Sequence, residues 1–155
     1  MSQHTEAVER WPLSWPSGWV RTIASKRIEI ASFSQIKGKA ETGRVDRGRV
    51  TLAVALGRLE AEIDRLGATN PILSTNVRLR MDGAPDSRTS DPDDPGAAVY
   101  FSFKGKATVF ACDKYRRVAD NIAAIAAHID ALRRIERYGV GSMEQAMAGY
   151  KALPA

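Results

Sequence analysis

Few residues in this 155-residue sequence could do chemistry, and they are unevenly placed. Asp82, Asp86, Asp91, Asp93 and Asp94 crowd one stretch, and grouped carboxylates are what a Mg2+-dependent phosphodiesterase uses to hold its metal. Such nucleases set their carboxylates on rigid strands. Here the aspartates lie in DGAPDSRTSDPDDPG (82–96), rich in proline and glycine, and only Asp82 and Asp113 stand at strand ends. The spacing matches no EF-hand loop. Cys112, the single cysteine, precedes a helical pattern, where a helix N-terminus would lower its thiol pKa. Neither His4 nor His128 is placed to act as its base, so Cys112 reads as a small buried residue and His128 as a helix-boundary residue. G-x-G-x-x-G, G-x-x-x-x-G-K and H-E-x-x-H are all absent. No catalytic residue, metal ligand or cofactor is therefore assigned, and the expectation is a protein that is not an enzyme. A metal-dependent nuclease is the weakest alternative.

The cations make a stronger pattern. Twenty-three Lys and Arg against eighteen Asp and Glu leave a net charge of +5, which suits a polyanionic partner, and nucleic acid is the commonest in a cytoplasm. Arg78 and Arg80 share one side of an alternating stretch, and Lys104 and Lys106 flank a hairpin turn of the same expected sheet. Tyr100 and Ser102, or Phe101 and Phe103, would share a face with one of these sets. A sheet face carrying basic and aromatic groups can hold a single strand by phosphate contact and stacking. Lys37, Lys39, Arg44, Arg47 and Arg49, in KGKAETGRVDRGR, make a second basic stretch, which reads as a loop. Trp11, Trp15 and Trp19 recur in WPLSWPSGW, where Pro12 and Pro16 forbid a regular helix. They read as indoles packing an irregular arm onto the body, or as a partner-binding platform.

The elements that must position these residues follow from periodicity. Leu52, Leu56, Leu59, Ile63 and Leu66 form one helical stripe over 50–66, with Glu60, Glu62, Asp64 and Arg65 off it and Gly67 as C-cap. Residues 26–36 predict a possible N-terminal strand; 72–81 alternates as a half-buried one; 97–103 and 106–111 complete a three-strand meander. The loop 82–96 offers nothing to pack and is expected to be mobile. Asp113 predicts the N-cap of a helix to Tyr138, with Val118, Ile122, Ile125, Ile129, Leu132 and Ile135 buried and Gly139 as its stop. Ser142 with Gln145 predicts a capping box for a short final helix. Strands and helices do not alternate as βαβ, so the class is α+β: an antiparallel sheet packed by two long helices. The expected organisation is a Trp/Pro-rich arm (1–22) on a single domain (23–155). No apolar run approaches a membrane span and no signal peptide is visible, so a cytoplasmic protein is expected.

Five stretches, WPLSWPSGWVRT (11–22), ILSTNVRLRMDGAPDS (72–87), DPGAAVYF (94–101), ACDKY (111–115) and ERYGVGSMEQAMAGYKALP (136–154), together resemble the N-terminal region of J-domain-containing proteins encoded by bacteriophages, prophages and other mobile elements. The resemblance spans most of the chain. The His-Pro-Asp tripeptide of a J-domain is absent, so chaperone stimulation does not carry over. What the resemblance implies is a mobile-element setting for a small accessory protein. The first expectation is thus non-sequence-specific nucleic-acid binding through a basic sheet face. The alternative is a protein-binding adaptor or inhibitor.

Overall fold

The computed structural model describes residues 8–39 and 45–153. After a 3-10 turn at Ala24–Lys26, the chain forms β1 (Ser34–Lys39), β2 (Val45–Arg49), α1 (Leu52–Leu66), β3 (Thr69–Thr75), β4 (Ala97–Phe103), β5 (Lys106–Cys112), α2 (Val118–Arg137) and α3 (Met143–Met147), closing in a 3-10 turn at Ala148–Tyr150. The class is α+β, as expected. The strands make two separate antiparallel sheets, β1-β2 and β3-β4-β5. Among the described residues no helix is long and apolar enough to cross a membrane.

Locally encoded elements stand where the sequence places them. In α1, the Thr51 hydroxyl accepts from Val54 N–H, and Gly67 closes the helix at φ 77°, a left-handed position that glycine tolerates without a Cβ clash. The β4–β5 turn has positive φ at both Lys104 (48°) and Gly105 (78°), the two-residue geometry that matches strand twist. α3 carries the Ser142–Gln145 capping box in full. Register puts Leu73, Val99 and Phe110 on one face of the sheet. There they join Leu59 and Ile63 of α1 and Ile122, Ile125 and Ile129 of α2 in one core. Ile135, expected in the stripe, is 45% exposed because it lies in the last turn of α2. Glu62, expected on the wet side of α1, is buried between Arg65 (2.7 Å) and Arg133 of α2 (2.9 Å).

Four expectations are corrected. The strand read at 72–81 ends at Thr75, because the chain bends at Asn76–Val77 to bury Val77; Arg78 and Arg80 follow in a narrow loop where Leu79 bridges Pro85. The strand read at 26–36 is only an isolated parallel bridge between Ile28 and Tyr115, followed by β1, which pairs with β2 in a ribbon where a loop was expected. The α2 helix starts at Val118, not Asp113: its first N–H donates to Asp91 Oδ1 (3.0 Å), while Asp113 turns towards the arm. Lastly, the 82–96 loop does pack. Pro95 and Gly96 are buried, Asn76 Nδ2 donates to Asp94 O (3.2 Å), and Asn121 Nδ2 donates to Pro95 O (2.8 Å).

The second sheet face, carrying Ser74, Tyr100 and Val109, is covered by the arm. Ser14 N–H donates to Ser74 Oγ (2.7 Å), Tyr100 Oη–H donates to Ser14 O (2.7 Å), and Thr75 N–H donates to Arg10 O (3.1 Å).

Candidate nucleic-acid interface

The sheet-face platform is not assembled. β3 runs antiparallel to β4 with Thr75 opposite Ala97, so Arg78 and Arg80 leave one end of the sheet while Lys104 and Lys106 turn at the other. Seven residues of β4 separate them, roughly 20 Å at ~3.3 Å per residue. Arg78 stacks over Trp11 (5.5 Å to the ring centroid) and Arg80 is held by Asp82 (2.9 Å). Lys104 lies over Phe103 (5.5 Å) and is ion-paired with Glu144. The Tyr100 face is under the arm, and Phe101 and Phe103 are core. The indoles seat the arm: Trp15 Nε1–H donates to Trp19 O (2.9 Å) beneath the Arg21 guanidinium (4.3 Å), and Trp19 lies against Tyr150 (6.1 Å).

A different concentration of cations stands at the ribbon. Lys37 and Lys39 belong to β1, Arg47 and Arg49 to β2, with Ile36 opposite Arg47, Ser34 opposite Arg49, and a bulge between Ile36 and Gly38. Arg44 lies outside the described residues. The ribbon's base is anchored by Arg58, whose Nη2 donates to Ser34 O (2.9 Å), and by the edge-on contact of Phe33 with Tyr115 (5.5 Å). Beside it, Ile28 N–H donates to Lys114 O (2.9 Å) and Arg116 N–H to Ile28 O (3.0 Å), which lays segment 26–29 along 114–117. Buried Asn121 fixes that segment by accepting from Tyr115 N–H (3.0 Å) and donating to Tyr115 O (2.9 Å). Lys26, Lys114 and Arg116 are left exposed around the ribbon base, as is Arg49, whose guanidinium donates to Glu29 O and lies 3.5 Å from Asp120. Arg27 and Arg117 turn inward, to Asp113 O (2.9 Å) and Val50 O (2.8 Å). Glu29, 3.5 Å from Arg49 and 3.6 Å from Arg116, is the exposed counter-charge there.

Sequence reasoning placed Arg49 in the basic stretch 37–49 but missed Lys26, Lys114 and Arg116. One signal was available: Lys114, Arg116 and Arg117 would sit at the positive end of the helix dipole if the helix began at Asp113. Three cations at that point mean that the helix starts later or that the cations serve something outside it.

All of these aspartates but the exposed Asp93 are occupied otherwise. Asp82 binds Arg80, Asp86 binds Arg88 (3.0 Å), Asp94 binds Arg21, Asp91 caps α2, and Asp113 binds Arg21 (2.8 Å) and Arg27 (3.5 Å). Among the described residues no group of three or more His, Cys, Asp or Glu side chains is arranged to hold a metal ion. Burial pushes the Cys112 thiol above its ordinary value, away from reactivity, and its Sγ–H donates to Asn121 Oδ1 (3.3 Å). His128 is wedged edge-on between Phe110 (5.1 Å) and Tyr150 (5.2 Å), and burial lowers its pKa. Comparison with protein-family models, curated proteins and solved structures finds no match to this chain.

Proposed function

We propose that this chain is a small cytoplasmic accessory protein, in the mobile-element setting that its sequence resembles, that binds nucleic acid without reading sequence. It does so through the β1–β2 ribbon and the cations at the ribbon's base. The observation that carries the reading is the juxtaposition of Lys26, Arg49, Lys114 and Arg116 with a two-stranded ribbon bearing Lys37, Lys39 and Arg47. A two-stranded ribbon fits the major groove of duplex DNA, and flanking cations then meet phosphates on either side. Phosphate contacts of this kind position the protein but carry no sequence information. The single-strand platform on the sheet gives way to this surface because the arm occupies the face it would need.

The test is fluorescence anisotropy with a labelled duplex and a labelled single strand of the same length, across salt. Log affinity should fall with log salt by about 0.9 per phosphate contact on duplex DNA. Lys26→Ala/Lys114→Ala/Arg116→Ala should therefore flatten the slope by about 2.7, with the melting temperature nearly unchanged because all three side chains are exposed. Arg78→Ala/Arg80→Ala should leave the slope as it is. An unchanged slope in the triple variant, or no salt-sensitive binding by the native chain, sinks the reading and leaves the protein-binding adaptor.

A further inference from the structure

On the flank of α1 away from Arg58 and the ribbon lies a groove of about 660 Å3, within the range of ligand-binding pockets. Its floor is apolar: Leu56, Leu59 and Ile63 from α1, Leu73 from β3 and Val99 from β4, with Leu79 in the opposite wall. Its rim is acidic in a basic protein. Glu60 and Asp64 line it from α1 and Asp82 from the facing loop, against Arg10 alone. Asp82 is already held by Arg80. Glu60 and Asp64 are exposed and make no ion pair among the described residues.

We propose that this groove docks a short cationic amphipathic helix of a partner protein. Apolar side chains on one face of that helix fill the floor, while a Lys or Arg pair four residues apart meets Glu60 and Asp64. The spacing argues for a helix. Glu60 and Asp64 are i,i+4 on α1, about 6 Å apart along its axis at 1.5 Å per residue, and a helix lying alongside repeats its own cations at that interval. An extended peptide adding to β3 is disfavoured, because Pro71 has no N–H to donate and Asn70 sits at φ 53°, which breaks the ladder. The rim's carboxylates repel a phosphate backbone, so nucleic acid is not the occupant. Grooves that take amphipathic helices combine these parts, an apolar floor for i, i+3, i+4 anchors and charges that set orientation. This surface is separate from the proposed nucleic-acid interface and does not depend on it.

A displayed library of random peptides, about twelve residues long, selected on the intact chain tests the proposal. A consensus peptide from that selection would then be measured by anisotropy and circular dichroism. Enriched peptides should carry Lys or Arg four residues apart beside an apolar stripe, and should gain helical signal on binding. They should lose about tenfold or more in affinity for Glu60→Lys/Asp64→Lys, whose exposed positions leave the melting temperature unchanged. The Lys26→Ala/Lys114→Ala/Arg116→Ala variant should bind the peptide as the native chain does, so failure of one surface is distinguishable from failure of the other. No enrichment, neutral or acidic winners, equal affinity for the charge-reversed variant, or binding without helix formation would each overturn the proposal. So would self-association of the native chain abolished by Glu60→Lys/Asp64→Lys, which would assign the groove to a second copy.

Discussion

Asp113 and Asp120 are both buried, and their surroundings treat the charge in opposite ways. Burial pushes the Asp113 carboxyl up, but Arg21 Nε at 2.8 Å and Thr22 N–H at 3.0 Å outweigh it and hold the group below the ordinary carboxylate range. Burial also pushes Asp120 up. Arg117 (3.7 Å) and Arg49 (3.5 Å) pull it back down, but from longer range than Arg21 acts on Asp113, and they do not offset the burial, so its pKa stays above the ordinary range. A lowered pKa means that the ionised Asp113 adds stability above the unfolded value of about 3.9, lost as pH falls through the folded one. Asp113→Asn should therefore cost roughly 3 kcal/mol near pH 7, by thermal melting, with the deficit shrinking below about pH 4. Asp120 has the reverse sign: with its folded pKa raised, ionising it costs stability relative to the unfolded chain. Asp120→Asn should melt at or above the native temperature near pH 7, and a drop matching that of Asp113→Asn would refute the distinction. Sequence showed an Asp at a strand-to-helix junction and made it a cap. It could not show Arg21, ninety-two positions away, competing for the same carboxylate.

At the scale of elements, what was legible was local. α1, β4, β5 and α3 are written in short periods, caps and a two-residue turn; the first three stand within a residue or two of their expected bounds, while α3, expected through Tyr150, ends at Met147 and continues as a 3-10 turn. The β1–β2 ribbon was missed because QIKGK and VDRGR carry no apolar period, the signal by which strands are found. The packing of the 82–96 loop was missed because its partners are distant: Asp91 caps a helix twenty-seven residues on, and Pro95 fits under Asn121. Replacing 84–94 by a Gly/Ser linker should thus cost more than a loose loop would. Asp91→Ala alone should cost about 1 kcal/mol, the ordinary worth of an N-terminal cap, or roughly 2–4 °C in a domain of this size. Calorimetry on the two variants checks this. A linker variant that melts with the native chain would mean that the loop's hydrogen bonds contribute nothing net.

At the scale of the molecule, the arm is a third layer over the sheet and not an appendage. Its binding role was the hardest part to read, because Trp/Pro-rich composition is equally that of a packed strap and of an exposed platform. Ser14, Trp15 and Trp19 are each engaged with the body or the arm itself, while Trp11 stays exposed beside Arg78. Removing 1–22 deletes the contacts of Ser14 with Ser74 and Tyr100, of Arg10 with Thr75, and of Arg21 with Asp113. At about 1 kcal/mol for each hydrogen bond, the melting temperature should fall by on the order of 10 °C. The uncovered face should bind a hydrophobic dye; a truncated chain that melts normally and binds none would show the arm to be dispensable. The arm and the C-terminal segment each cover part of one margin of the three-strand sheet. Arg10 O takes the Thr75 N–H at one edge, while at the other Lys151 bridges Thr108 and Ala152 N–H donates to Ala107 O. Tyr150 locks the two straps together, touching Trp19 of one and Phe110 beneath the other at 4.6 Å. An open strand margin is a template on which another chain can pair, so these straps are also the protein's guard against growing into fibres. A proteolytic nick that frees 148–152 would leave the core intact and the β5 margin bare, and solubility would then be lost before the fold is.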